Sequence, residues 1–325
     1  MPPEDEAHMR RAIAEAAAVR ASTSPNPWVG AVVEPGGFTG ATQPPGGPHA
    51  EIVALQAAGP SAQGATLYCT LEPCSHQGRT GPCTEAIIEA GIARVVVGIE
   101  DPDPQVGGRG IERLRQAGIT VDVGTCKDEI EEQLAPYLKH RRTGRPWVVL
   151  KLAATLDGRI AAPDGTSQWI TGDAARTDAH RLRAESDAVL VGAGTVRADD
   201  PSLTVRYVSG RDPVRVVLGK APPDAKVQPA VEMEGDLRDV LDQLGKQDVV
   251  QLLVEGGARV AHDFHAARLV DRYVVYLAPA LFGGDDAMPM FSGLADPTVS
   301  ELWRGRFTAI ERLGDDLRIE LCSPA

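Results

Sequence analysis

A joint constrains this chain more than any other feature. Residues 140 to 146 read His-Arg-Arg-Thr-Gly-Arg-Pro, a short charged stretch punctuated by Gly and Pro, and such stretches suit domain boundaries. On each side of it, strand-like and helix-like patterns alternate. A chain of 325 residues is also about the right length for two cores, so domains over 1–144 and 145–325 are expected. Before the joint, apolar Met9, Ile13, Ala16 and Ala17 recur at helical spacing over 4–20, until Ser24-Pro25-Asn26-Pro27 stops the helix. Strands are predicted over 28–33, 65–70, 94–99 and 120–123, with helices over 50–58, 83–90, 108–117 and 127–139. That alternation implies a three-layer α/β/α domain with a largely parallel portion to its sheet. Beyond the joint, strands are predicted over 147–152, 188–191, 214–218, 249–254 and 273–277 with helices between them. A hairpin is predicted over 307–321 around Gly314-Asp315.

Composition narrows the partners. A net charge of -12 with no compensating Lys/Arg run lacks the phosphate-neutralising surface a nucleic acid requires, so small substrates are favoured. No apolar stretch is long enough to span a bilayer. The acidic start, Met1-Pro2-Pro3-Glu4-Asp5-Glu6, has no basic-then-apolar leader, and a cytoplasmic location is expected. Five cysteines, Cys69, Cys74, Cys83, Cys126 and Cys322, are an odd number unevenly spread, which fits a reduced compartment better than a disulfide framework. Cys69 ends an apolar strand and reads as core.

Two cysteines and one histidine carry chemistry. His49-Ala50-Glu51 lies where a Gly/Pro-rich loop runs into a helix, and Glu72-Pro73-Cys74, then Cys83, lie where a strand runs into the next. His49, Cys74 and Cys83 would supply three ligands to a catalytic zinc ion, leaving a fourth tetrahedral position for water. Helix N-termini favour thiolates. Glu51, not a ligand, would act as general acid and base. A structural zinc site would need a fourth ligand, for which His76 is the nearby candidate.

The segment Pro73-Cys74-Ser75-His76-Gln77-Gly78-Arg79-Thr80-Gly81-Pro82-Cys83 resembles the deaminase half of the bifunctional deaminase-reductases of riboflavin biosynthesis. Eight residues separate Cys74 from Cys83, where other cytidine-deaminase-like enzymes usually have two. Pro25-Asn26-Pro27, Pro48-His49-Ala50-Glu51 and the loop from Asp101 to Gly110 match that family as well. The segment between Val33 and His49 is slightly shorter and richer in Pro and Gly than the family's usual hairpin. The resemblance implies a cytidine-deaminase-like fold, one zinc ion per deaminase domain, and a pyrimidine substrate bearing a ribose 5-phosphate. His76 and Arg79 would hold the phosphate, and Asn26 would meet a ring edge.

The second half carries no clean dinucleotide fingerprint. Gly192-Ala193-Gly194-Thr195-Val196-Arg197 follows a strand but lacks the third glycine. Glu255-Gly256-Gly257-Ala258 follows a strand and opens a helix, presenting backbone N–H groups to a phosphate or merely tightening a turn. This half is similar to the reductase half of the same family, through Lys151 to Arg159, Ser167 to Thr171, Val191 to Val196, Asp199 to Arg206 and Val254 to Gly257. The resemblance implies a dihydrofolate-reductase-like α/β fold and NADPH as cofactor. Ala153, Trp169, Thr195, Asp199 and Gly257 would contact the cofactor, and Lys220 its 2′-phosphate. Ser167, Arg183, Leu203, Arg206 and Glu255 would contact substrate, with Lys151 and Asp199 the nearest proton donors.

The expected activity is therefore hydrolytic deamination of 2,5-diamino-6-ribosylamino-4(3H)-pyrimidinone 5′-phosphate, followed by NADPH-dependent reduction of its ribosyl chain. The product would be 5-amino-6-ribitylamino-uracil 5′-phosphate. The alternatives are a deaminase whose second domain only binds a ligand or oligomerises, a deaminase of free or tRNA bases, and a structural zinc protein. A homo-oligomer, dimer or tetramer, is expected.

Overall fold

The computed structural model describes residues 3–76, 81–103 and 106–323. The chain divides into two compact units, Met1–Gly144 and Arg145–Ala325.

The first unit is built on five strands, β1 (Gly30–Glu34), β2 (Phe38–Ala41), β3 (Thr66–Leu71), β4 (Arg94–Ile99) and β5 (Thr120–Val123), in the order β2-β1-β3-β4-β5. Strand β1 runs antiparallel to both its neighbours, while β3, β4 and β5 are parallel. Strands β3 and β4 are near-continuous apolar runs, buried along almost their whole length, as strands covered on both faces must be. Helices α1 (Pro3–Ala18), α2 (Arg20–Thr23), α3 (Ala50–Ala58), α4 (Cys83–Glu89), α5 (Arg109–Gln116), α6 (Lys127–Gln133) and α7 (Ala135–Thr143) supply the cover, with a 3-10 turn at Gly59–Ala62.

Two glycines set how closely the layers approach. A Cβ on Gly30 would lie 1.9 Å from the Ala12 carbonyl oxygen of α1, and one on Gly40 would lie 2.3 Å from the Ala50 carbonyl oxygen of α3. Gly40 is in register with Ala31, so Gly30 and Gly40 face opposite ways and the two helices seat on opposite faces. Asp5 of α1, buried, takes two hydrogen bonds from the Arg94 guanidinium and one from the Tyr68 hydroxyl, which pins that helix to β3 and β4.

The helix predicted over 127–139 is two helices. It breaks at Leu134, one residue before α7 starts, because Pro136 has no N–H to continue the ladder and its ring clashes with the preceding turn. Helix α7 then runs through the first part of the predicted joint to Thr143 and ends on Gly144 at φ 71°. The first helix stops at Ala18 rather than at residue 20, and the strand expected from 28 begins at Gly30. Strand β2, part of the hairpin before His49, had no expectation of its own.

The second unit carries an eight-stranded sheet. Its strands are β6 (Trp147–Thr155), β8 (Ala188–Gly192), β9 (Val214–Leu218), β10 (Val231–Met233), β11 (Gln251–Val254), β12 (Arg272–Ala278), β14 (Arg306–Leu313) and β15 (Asp316–Cys322). The order is β10-β9-β8-β11-β6-β12-β15-β14. The first six are parallel, and the closing hairpin β14–β15 adds two antiparallel strands. A separate two-residue strand, β13 (Met288–Pro289), pairs with β7 (Arg159–Ala161). Helices α8 (Asp173–Ala184), α9 (Ala193–Asp199), α10 (Leu237–Gly245) and α11 (Ala258–Ala266) complete it.

Alternation builds two cores, one on each face. Val148, Leu150, Leu252 and Val254 pack with Phe264 on one side, while Val149 and Leu253 pack with Leu182 and Tyr276 on the other. Burying each such side chain contributes about 1.5–3 kcal/mol before chain entropy is set against it. No helix among the described residues is long and apolar enough to cross a membrane.

Candidate active sites

In the first unit, loops at the ends of the central strands bring the predicted ligands together. His49 caps the N-terminus of α3, Cys83 is the first residue of α4, and Cys74 lies in the turn after β3. The His49 Nδ1 atom is 3.6 Å from Cys74 Sγ and 3.3 Å from Cys83 Sγ, and the ligand atoms of all three residues lie within 4.8 Å of one another. The Cys83 N–H, at the free end of α4, donates to Cys74 Sγ at 3.4 Å. Hydrogen bonding from Cys83 and from His49 outweighs burial and draws the Cys74 thiol down to about 4, while sharing that bond and burial push the Cys83 thiol up. Two thiols and an imidazole at these separations, with one thiol already favoured as thiolate, fit a soft-ligand zinc site. No fourth His, Cys, Asp or Glu joins the cluster among the described residues, and His76 is exposed.

Glu51 is buried at 3% exposure, and desolvation raises its carboxyl above the usual range. It lines one cavity of about 430 Å³ together with His49, Cys74, Asn26 and His76. Arg79, the other residue expected at a phosphate, lies outside the described residues. Cys69 is fully buried in β3.

Glu72, Asp101 and Tyr137 also line this cavity, and the sequence reading gave none of them a role. Glu72, buried at the end of β3, accepts from four backbone N–H groups: Asp101 at 3.2 Å, Gly108 at 2.9 Å, Gly110 at 2.8 Å and Ile111 at 3.2 Å. It thereby satisfies the N-terminus of α5 from outside the helix. Asp101 accepts from the Tyr137 hydroxyl at 3.1 Å and the Asp103 N–H at 2.9 Å, and burial raises its carboxyl. The only sequence signals were Glu72 beside Cys74 and the match over Asp101 to Gly110; nothing local tied the two together.

In the second unit, the predicted residues gather where parallel strands end, the usual place for a ligand in a sheet of this kind. Glu255 follows β11, and its carboxylate takes a two-pronged contact from Arg183 of α8, Nε at 2.5 Å and Nη2 at 3.0 Å. Lys151 of β6 places Nζ 3.6 Å from the same carboxylate. Burial alone would raise Glu255, but the charges of Arg183 and Lys151 hold it down at about 2. Burial lowers the Lys151 ammonium, against the pull of Glu255. A helical arginine is usually a solvated surface charge; Arg183 is not, since it also donates to the Thr204 carbonyl at 3.2 Å.

The remaining residues fall into pairs and outliers. Thr195 Oγ1 accepts from the Gly257 N–H at 3.1 Å, joining the starts of α9 and α11. Ser167 Oγ donates to Asp199 at 3.1 Å. Ala153 is half-buried on β6, level with Tyr276 of β12. Leu203 is buried at φ 55°, and Arg206 is exposed, its backbone N–H donating to His180 Nδ1 at 2.9 Å and its guanidinium to Ser202. Trp169 stands 64% exposed. Lys220 pairs with Glu232 at 3.2 Å.

Residues 2–99 match the family model described as the cytidine and deoxycytidylate deaminase zinc-binding region, and residues 146–319 match the RibD C-terminal domain. Riboflavin biosynthesis protein RibD of Aquifex aeolicus is 40% identical, with 97% of each chain covered. The RibD of Mycobacterium tuberculosis H37Rv is 42% identical, covering 98% of this chain and 96% of that one. Among solved structures, Acinetobacter baumannii RibD superposes with a TM-score of 0.93 at 38% identity over 99% of both chains. A diaminohydroxyphosphoribosylaminopyrimidine deaminase/5-amino-6-(5-phosphoribosylamino)uracil reductase from Thermotoga maritima gives 0.88 at 36% identity, over 98% of this chain and 99% of that one.

Proposed function

The chain belongs to the RibD family of riboflavin biosynthesis proteins, and on that premise we propose which of its residues perform the two reactions. It is a bifunctional enzyme, a zinc-dependent pyrimidine deaminase with a cytidine-deaminase-like fold joined to an NADPH-dependent reductase with a dihydrofolate-reductase-like one. We assign deamination to 1–144 and reduction to 145–325. The substrate is the diamino-pyrimidinone ribose phosphate, deaminated first and then reduced to the ribityl compound.

The observation that carries the first assignment is the meeting of His49, Cys74 and Cys83 within 4.8 Å, with His49 and Cys74 on the wall of a cavity that buried Glu51 also lines. Zinc, when bound by these three residues, supplies a Lewis acid that makes water nucleophilic near neutral pH. The Glu51 carboxylate, raised by burial, would accept a proton from the attacking water and return it to the departing amine, which leaves as ammonia. Asn26 reads a ring edge, and His76 with Arg79 meets the phosphate.

For the second reaction, NADPH supplies the hydride. Thr195, Asp199, Ala153, Trp169 and Gly257 position the cofactor, and Lys220 would hold its 2′-phosphate by exchanging its pairing with Glu232. Ser167, Leu203 and Arg206 hold the substrate. Glu255 pairs with Arg183 and Lys151 and holds both cations in place at the end of β11; Arg183 and Glu255 also meet the substrate. Lys151 Nζ, with its proton loosened by burial, is the group placed to deliver the proton that reduction of the ring-opened sugar consumes.

The chain is read as cytoplasmic and as a homo-oligomer, the latter supported by the outer strand β14, where Phe307 and Ile310 are each 60% exposed. The decisive experiment is the product mass from the diamino substrate, using zinc-loaded protein with and without NADPH. Amino-for-oxygen exchange without cofactor, and two further hydrogens only with it, is the expected result. Deamination that NADPH never extends would instead favour a second unit that only binds.

A further inference from the structure

The first turn of α8 contains a cation at the end of a helix where the dipole disfavours one. Arg176 is the fourth residue of α8 (Asp173–Ala184), and its side chain is only 20% exposed. Its guanidinium is held from two sides. One nitrogen donates to the Thr171 carbonyl at 2.8 Å, and another pairs with the Asp173 carboxylate. Its Nε is buried without a hydrogen-bond partner. Such placement costs stability, and residues that break a local rule this way cluster where function demands it.

The guanidinium plane points to the reason. Its central carbon lies 4.7 Å from the centroid of the Trp169 ring, within the range at which a cation over an indole face is attractive. Trp169 is otherwise 64% exposed, and a large aromatic side chain left in water with nothing else behind it would sample several rotamers. Backed by a guanidinium anchored to Thr171 and Asp173, the indole has one face covered and the other free for a flat ring.

We propose that Arg176 is a positioning residue for NADPH binding, acting through Trp169 by fixing the indole as a preformed stacking platform. This rests on the reading of Trp169 as a cofactor contact. Ordering the platform beforehand removes an entropic cost from binding and leaves the hydride step untouched, so the effect belongs in affinity and not in turnover.

The test is a double-mutant cycle on the full-length protein, with NADPH titrated and its fluorescence followed. Arg176→Gln should raise the NADPH Kd about three- to tenfold, with kcat at saturating NADPH unchanged. Arg176→Lys keeps a cation but loses the plane, should fall between, and also serves should the glutamine variant fold poorly. In a Trp169→Ala background, Arg176→Gln should add nothing. Effects that multiply across the cycle, or a Kd unmoved by Arg176→Gln and Arg176→Lys alike, overturn the proposal while leaving Trp169 as a contact. A Kd unmoved by Trp169→Ala overturns the cofactor reading of Trp169 and this inference with it.

Discussion

At the scale of single residues, the two units solve opposite problems with charge. Glu51 is buried, and desolvation raises its carboxyl; it is suited to carry a proton. Glu51→Gln should reduce deamination by about a thousandfold or more, the upper part of the range for general acid–base catalysis, because the same carboxylate acts in both proton transfers. Reduction of independently supplied deaminated substrate should continue at the wild-type rate, and a parallel loss of reduction would refute the separation of roles. His180 poses a different test. Burial comes first, and then the charges of Arg183, Arg206 and Lys151, with Glu255 opposing, in lowering this imidazole from 6.5 to about 4. Between those values the unfolded chain binds the proton and the folded one does not, so stability falls as pH drops from about 6.5 toward 4. His180→Gln, which can still accept the Arg206 N–H, should flatten that part of a pH series of unfolding midpoints. An unchanged slope would mean that other groups produce it.

Elements were legible in the sequence where burial dictates a pattern, and illegible where contacts come from far away. Strand β4 was predicted over its whole length because a strand covered on both faces leaves an apolar run. Strand β10 was missed because its two exposed residues leave one buried side chain, Met233, and no alternation to read. The break at Leu134 was written in Pro136 but overridden by the strong helical pattern around it. The cluster of His49, Cys74 and Cys83 was legible from residue type and order, with His49 just before α3 and Cys83 opening α4. The contact between Arg183 and Glu255 spans 72 positions, and the four bonds to Glu72 span 29 to 39, so neither has a local signature. The Glu72 clamp yields a prediction at this scale. Gly110, the second residue of α5, lies against the turn that carries Cys74, and a Cβ there would lie 1.9 Å from the Pro73 carbonyl oxygen. Gly110→Ala must push α5 away from Glu72-Pro73-Cys74, costing about 1–3 kcal/mol as overpacking does. Deamination and zinc content should fall together and NADPH oxidation should not; retained zinc with normal deamination would show that the turn absorbs the shift.

For the whole molecule, the question is whether each half answers to its own ligand. A second unit that merely binds or oligomerises and one that reduces could share the same fold, so fold alone does not decide between them. Both assigned ligands, however, bind folded protein in preference to unfolded, and a ligand at about a hundred times its Kd stabilises its site by about 2.7 kcal/mol. Peptide-resolved hydrogen exchange on the full-length chain would map where that stabilisation falls. Removing zinc with a chelator should deprotect peptides around α3, the turn after β3 and α4, where His49, Cys74 and Cys83 converge. Adding NADPH should protect peptides covering the end of β6, α9 and the Glu255–Gly257 turn, because Thr195 and the Gly257 N–H already join two of those segments. Protection by NADPH confined to the region of Lys220 and Glu232 would place the cofactor elsewhere. Protection at the predicted peptides without substrate turnover would leave the cofactor site correctly drawn and favour a second unit that only binds.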